Sequence, residues 1–81
     1  MSTVTVQLFA SYAESFGGAT LEIPLNSGDT VGDLVDSLRS LPGASILPDS
    51  PRVAVNQKFA RYDQTVHPRD EIALIPPVAG G

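Results

Sequence analysis

Thr30-Val31-Gly32-Asp33-Leu34-Val35-Asp36-Ser37-Leu38-Arg39-Ser40-Leu41-Pro42-Gly43 is the stretch that decides the fold. Its apolar residues, Val31, Leu34, Val35, Leu38 and Leu41, recur at spacings of three and four, which places them on one face of a helix. Thr30 is a natural N-cap. Asp33 and Asp36 lie where the helix dipole favours negative charge, and Arg39 lies near the other end. Pro42-Gly43 stops the helix. Upstream, Thr3 to Phe9 alternates polar and apolar, with Val4, Val6 and Leu8 on one face and Thr5, Gln7 and Phe9 on the other. A second alternating run puts Leu21, Ile23 and Leu25 together, and Ser11–Phe16 forms a short helical turn between the two, ended by Gly17-Gly18. Downstream, 44–51 reads as a loop and Val53-Ala54-Val55 as a short strand. Asn56-Gln57 is a turn, and Lys58-Phe59-Ala60 a possible return strand. Thr65–Asp70 is a further turn, with Pro68 in it, and Glu71–Ile75 is the final strand. Within that last strand Ile72 and Leu74 share one face, Ala73 and Ile75 the other. Pro76-Pro77 ends it by removing two backbone donors.

The order is therefore β-β-α-β-(β)-β. If the helix covers Val4, Val6, Leu8, Ile72 and Leu74, the two terminal strands lie centrally and parallel, and the intervening chain supplies the crossover that a parallel pair needs. The expectation is an α+β β-grasp (ubiquitin-like) domain at 1–75. Its mixed four- to five-stranded sheet packs on one main helix, and a flexible, extended tail follows at 76–81.

Composition narrows the chemistry. Eighty-one residues accommodate one domain. Cysteine is absent, which removes disulfides, thiolate metal sites and any thiol nucleophile. Nine acids against five bases leave a formal charge of -4, with no basic footprint for nucleic acid or an anionic membrane. On net charge alone a protein partner would present a basic surface. No apolar stretch is long enough to span a bilayer and no secretory signal opens the chain, so the expected location is cytoplasmic. His67 is the single histidine and sits in a turn. Asp29, Asp33 and Asp36 read as a solvated helix start rather than a cation site. Ser11, Ser15 and His67 form no nucleophile arrangement, and Gly17-Gly18 lacks the context of a phosphate loop. No metal site is expected.

The tail is the feature with chemical content. Two prolines hold the emerging chain extended as a spacer. Val78-Ala79 and then Gly80-Gly81 give a backbone slim enough to thread into another protein's active site and present the Gly81 carboxylate there. Phe9 and Ile75, pointing away from the helix-covered side, are candidate anchors for that partner.

Phe9-Ala10, Val55-Asn56-Gln57, Asp70-Glu71-Ile72 and Pro76-Pro77-Val78-Ala79-Gly80-Gly81 resemble the small subunit of molybdopterin synthase (the MoaD/ThiS sulfur-carrier family) over the full length of the chain. The chain departs from many relatives at Ile75, where an aromatic is common, and at Ala13, where an Arg is common. The resemblance implies a sulfur carrier without catalytic side chains or tightly bound cofactors of its own. A MoeB-like activating enzyme would use ATP to adenylate Gly81, and a sulfur donor would convert the adenylate to a thiocarboxylate. The large subunit, MoaE, would then accept the tail (Pro76, Pro77, Val78, Ala79, Gly80) and pass sulfur to precursor Z, cyclic pyranopterin monophosphate, within a heterotetramer. Three readings stay open: this carrier, a ubiquitin-like modifier or thiazole-synthesis carrier that shares the Gly-Gly ending, and a binding module with an incidental tail. Lys58, the single lysine, disfavours chain building on this protein.

Overall fold

The computed structural model describes residues 2–77. The chain runs through β1 (Ser2–Leu8), α1 (Ala10–Phe16), β2 (Thr20–Leu25), α2 (Val31–Arg39), a 3-10 turn (Ala44–Ile46), β3 (Arg52–Val55), β4 (Lys58–Phe59) and β5 (Ile72–Ile75). One five-stranded mixed sheet has the order β2-β1-β5-β3-β4. β1 and β5 are parallel neighbours at its centre, paired Val6 with Ile72 and Leu8 with Leu74, and the remaining pairs are antiparallel. The β-grasp arrangement read from the sequence is the fold observed.

The core lies between the sheet and α2. Val4, Val6, Leu8, Ile23, Leu25, Val53, Val55, Ile72 and Leu74 point into it from the strands, and Val31, Leu34, Val35 and Leu38 from the helix. The start of α2 is a reciprocal cap. The Thr30 hydroxyl accepts from the Asp33 N–H at 3.3 Å, and an Asp33 carboxylate oxygen accepts from the Thr30 N–H at 2.9 Å. The Val31 and Gly32 N–H groups donate to the Gln64 and Tyr62 carbonyls, so the long loop before β5 also serves as a lid on the helix end.

Three local readings change. α2 closes at Arg39, so Leu41 lies past it in a turn, half-buried against the core. The ring of Pro42 disfavours helical geometry at the residue before it. The loop at 44–51 contains a 3-10 turn and buries Leu47. The short turn after β1 is a seven-residue helix that buries Tyr12, so α1 joins the core. α1 is fixed there by Gly43, whose φ of +94° suits glycine alone and whose missing side chain leaves room for the Ser15 carbonyl. The Ser15 hydroxyl donates back to the Gly43 carbonyl at 2.7 Å.

Candidate functional site: the open face of the sheet at the tail root

Strand register assigns the side chains on the face that α2 leaves uncovered. Gln7 lies beside Ala73, Ala73 beside Ala54, and Ala54 beside Phe59, giving one row across four strands. The next row toward the tail pairs Ile75 with Arg52. Phe9, just past β1 in extended conformation, keeps the strand's alternation and is 46 % exposed. Phe59 is 66 % exposed, the most exposed large apolar side chain described. Gln7, Phe9, Ala54, Phe59, Ala73 and Ile75 line a hollow of about 320 Å³, closed at its far end by Gln57 and Glu71. The β2 side of the same face is polar. Thr3, Thr5, Glu22 and Pro24 are exposed there, and the Thr5 hydroxyl donates to the Glu22 carboxylate.

The tail leaves from the apolar half. Pro76 is half-buried and Pro77 exposed, and with Arg52, Phe59 and Ile75 they line a second hollow of about 330 Å³. A third, of about 230 Å³, lies between Tyr12, Pro48, Ser50, Arg52, Ile75 and Pro77. Phe9 and Ile75 thus border one apolar surface that runs to the tail root, although Ile75 is half-buried rather than fully exposed. Val78, Ala79, Gly80 and Gly81 lie outside the described residues. Sequence reading left Arg52 and Phe59 unassigned. The signal for Phe59 was the Asn56-Gln57 turn: a two-residue hairpin loop sets Phe59 across from Ala54, on the open face.

Polar groups around this surface hold structure in place. The Arg39 guanidinium donates to the Pro48 and Asp49 carbonyls, and the Tyr62 hydroxyl to the Pro51 carbonyl at 2.6 Å, fixing the loop that leads into β3. The Tyr12 hydroxyl is buried with no hydrogen-bond partner. Burial first, and then Tyr62, push its pKa above the ordinary phenol value, so it stays protonated. At the hairpin tip the Asn56 side chain donates to Asp70 at 3.0 Å and accepts from the Glu71 N–H at 2.9 Å, clasping the β3–β4 turn to the start of β5. The His67 backbone N–H, ahead of the Asn56 amide and the His67 ring, holds the Asp70 carboxyl below its ordinary range. His67 serves this loop, its ring 3.6 Å from Asp70. Asp29 and Asp33 are likewise engaged as turn and cap acceptors. Among the described residues no group of three metal-ligating side chains assembles, and no helix is long and apolar enough to cross a membrane.

The model of the ThiS family matches residues 6–81. This chain belongs to that family. The ThiS/MoaD assignment agrees with the resemblance carried by the Val55-Asn56-Gln57 and Pro-Pro-Val-Ala-Gly-Gly segments. Two relatives are about equally similar to this ThiS-family chain. The molybdopterin synthase sulfur carrier subunit of Arabidopsis thaliana is 32% identical over 79 residues, covering 96% of this chain and 82% of that protein. Small archaeal modifier protein 1 of Haloferax volcanii is 33% identical over 84 residues, covering 93% and 97%. The crystal structure of the Haloferax protein superposes with a TM-score of 0.81 at 31% identity, covering 99% of this chain and all of that one. The fold is shared as well with a Helicobacter pylori structure, a complex of subunits 1 and 2 of molybdopterin-converting factor. There the TM-score is 0.70 at 21% identity, with 98% of this chain and 99% of that chain covered.

Proposed function

We propose that the chain is the sulfur-carrier small subunit of a molybdopterin synthase and that the Gly81 carboxylate is its reactive group. The observation that carries this reading is the placing of the tail root. Pro76-Pro77 continues straight from a central strand, beside the apolar half of the open face, so a partner that binds this face also receives the tail. The likeness to the Arabidopsis subunit, and the two-subunit Helicobacter complex with the same fold, support a MoaE-like large subunit as that partner.

The chemistry begins at the tail. A carboxylate is a poor acyl donor, so a MoeB-like enzyme transfers AMP from ATP to Gly81, releasing pyrophosphate and making a mixed anhydride. A sulfur donor displaces AMP and leaves a thiocarboxylate. In the large subunit the terminal sulfur attacks a carbon of precursor Z and displaces an oxygen substituent, so a C–S bond forms as a C–O bond breaks. Water then cleaves the acyl–sulfur bond and returns Gly81 as a carboxylate for recharging. The carrier supplies the docking face and the acyl handle. Acid–base groups come from the partners, and ATP is bound by the activating enzyme. This chemistry belongs to the cytoplasm.

The test is the intact mass of the protein after incubation with ATP, the activating enzyme and a sulfide source. One oxygen exchanged for sulfur, localised to the Gly81 peptide, is expected, followed by conversion of precursor Z with the large subunit. Deleting Gly81, or adding one residue after it, is expected to abolish transfer while the fold persists. Full activity of either variant overturns the mechanism. The likeness to the Haloferax modifier favours a second reading, attachment of Gly81 to target lysines. Glycyl-glycyl remnants on lysines of other proteins, without any thiocarboxylate, would decide for it.

A further inference from the structure

Among the described residues Arg52 is the one charged residue lining the two hollows at the tail root. Its guanidinium carbon stands 5.4 Å from the centre of the Phe59 ring. Among the described residues it has no acidic partner, whereas Arg61 pairs with Asp63 and Arg39 is spent on loop carbonyls. The other charge on this surface, Glu71, lies at the opposite end of the apolar hollow, beside Gln57.

We propose that Arg52 is a specificity-determining residue of the docking face and takes a carboxylate on the protein that receives the tail. The proposal rests on the carrier reading above and names the chemistry of its partner. Any surface that accepts the chain beyond Pro77 covers Arg52, because Pro76, Pro77 and Arg52 line the same hollow. Covering it strips water from a guanidinium amid apolar groups, and such burial is strongly unfavourable unless an anion arrives with the partner. Stacking on Phe59 compensates only in part. It also holds the planar group at one face and leaves its donor edge open, a geometry that a carboxylate matches with two parallel hydrogen bonds.

The anion proposed is a side-chain carboxylate of the partner rather than the phosphate of an adenylate at Gly81. Gly81 lies five positions beyond Pro76, a length of chain that can carry an adenylate up to about 17 Å away. The net charge of -4 argues for a basic partner, yet beside the tail the local charge is positive. Arg52 at one end and Glu71 at the other give the groove a polarity along which only one orientation of a partner matches.

The experiment titrates the full-length chain with the purified large synthase subunit at low and high salt. Arg52→Glu is expected to weaken binding about 30-fold or more. Arg52→Met is expected to cost about tenfold and to flatten the salt dependence. Arg52→Lys should fall between wild type and Arg52→Met, because an ammonium lacks the planar fork. All three should keep wild-type thermal unfolding, since the side chain is exposed. A second arm reverses single acidic residues of the large subunit to Lys; one of them is expected to restore binding to Arg52→Glu. Wild-type affinity in Arg52→Glu, with the wild-type chain itself binding, overturns the assignment of Arg52 and leaves the carrier reading standing. A wild-type chain that takes up sulfur at Gly81 but does not bind the large subunit overturns both the synthase reading and this one.

Discussion

Ile72 and Ile75 stand three residues apart in one strand and face opposite ways. Ile72 is fully buried between Val6 and Val55, its register partners, under α2. Ile75 is half-buried on the open face beside Arg52, at the edge of the hollows that lead to the tail. The same residue type therefore does two jobs, and strand alternation alone assigns them. The covered face is apolar from β2 to β3. The open face is mainly apolar over β5, β3 and β4, with Arg52 at its tail end, and polar over β2, where the Glu22 carboxylate accepts from Thr5. A sheet that merely needed solubility would be polar across the whole open face. The one-sided pattern, running out to the tail root, is the observation behind the docking surface proposed above.

Substitution on the covered face should produce the largest effect. Ile72→Ala removes a fully buried side chain from the centre of the sheet and is expected to cost about 2–5 kcal/mol. A core of this size supplies only about 3–5 kcal/mol, so the variant should be extensively unfolded near body temperature by thermal or urea denaturation. A loss below about 1 kcal/mol would mean that the two faces are less distinct than their burial indicates.

On the open face the same strand should separate binding from folding. Ile75→Glu is expected to leave the unfolding midpoint nearly unchanged. It should weaken association with the large subunit about 30-fold or more, as loss of an apolar anchor at the centre of an interface does. Unchanged affinity removes Ile75 from the interface, and global unfolding would place it in the core instead.

A smaller effect should come from the clasp between hairpin and strand. Asp70 has a carboxyl group held below its ordinary value of 3.8, chiefly by the His67 backbone N–H. A lowered folded-state value means that Asp70 stabilises the protein above about pH 4 and that this contribution is lost as pH falls through the folded value. Asp70→Asn should therefore lower the melting temperature at neutral pH. The gap to wild type should close as pH drops below about 4. A constant gap across that range would show that the charge of Asp70 plays no part.

Periodicity made the covered face, the capped helix and the central parallel pair legible, because each rests on several residues repeating at one spacing. Thr30 is readable as a cap from its place just before the helical run, whereas Asp33 reads only as a charge that suits the helix dipole, and its bond back to the Thr30 N–H emerges from the structure. The open face is legible in the alternating runs alone, which place Thr5, Gln7 and Phe9, and Ala73 and Ile75, on it. Phe59 lies in a two-residue strand, too short to show a period, and its neighbours become known only from the pairing of β3 with β5. Arg52 was hidden by its place just before an apolar run, and its position over Phe59 is a tertiary fact. Tyr12 was read as part of a turn, because the glycine at 43 that lets α1 approach lies 31 residues away in the chain. Net charge does not describe the groove itself, since it averages over acids at the α2 start that do not border it.

Gln57 offers the finest division between shape and contact on the open face. Asn56 and Gln57 have φ values of 53° and 72°, the two left-handed positions of a tight hairpin turn. Asparagine tolerates that conformation and its side chain is used in the clasp, but glutamine gains nothing from it in local hydrogen bonding. A non-glycine residue in the left-handed region is disfavoured by roughly 1–2 kcal/mol, while glycine adds chain entropy of about 0.5–1 kcal/mol. Gln57→Gly should therefore stabilise the domain by about 0.5–1 kcal/mol in urea denaturation, with the hairpin and Phe59 held as before. Gln57 also lines the far end of the hollow, opposite Arg52 and the tail root. If docking is driven from the tail end, the variant binds the large subunit within about threefold of wild type, since residues around a hot spot contribute little. A tenfold loss in a variant of raised stability would move the energetic centre of the surface toward Glu71 and away from the tail.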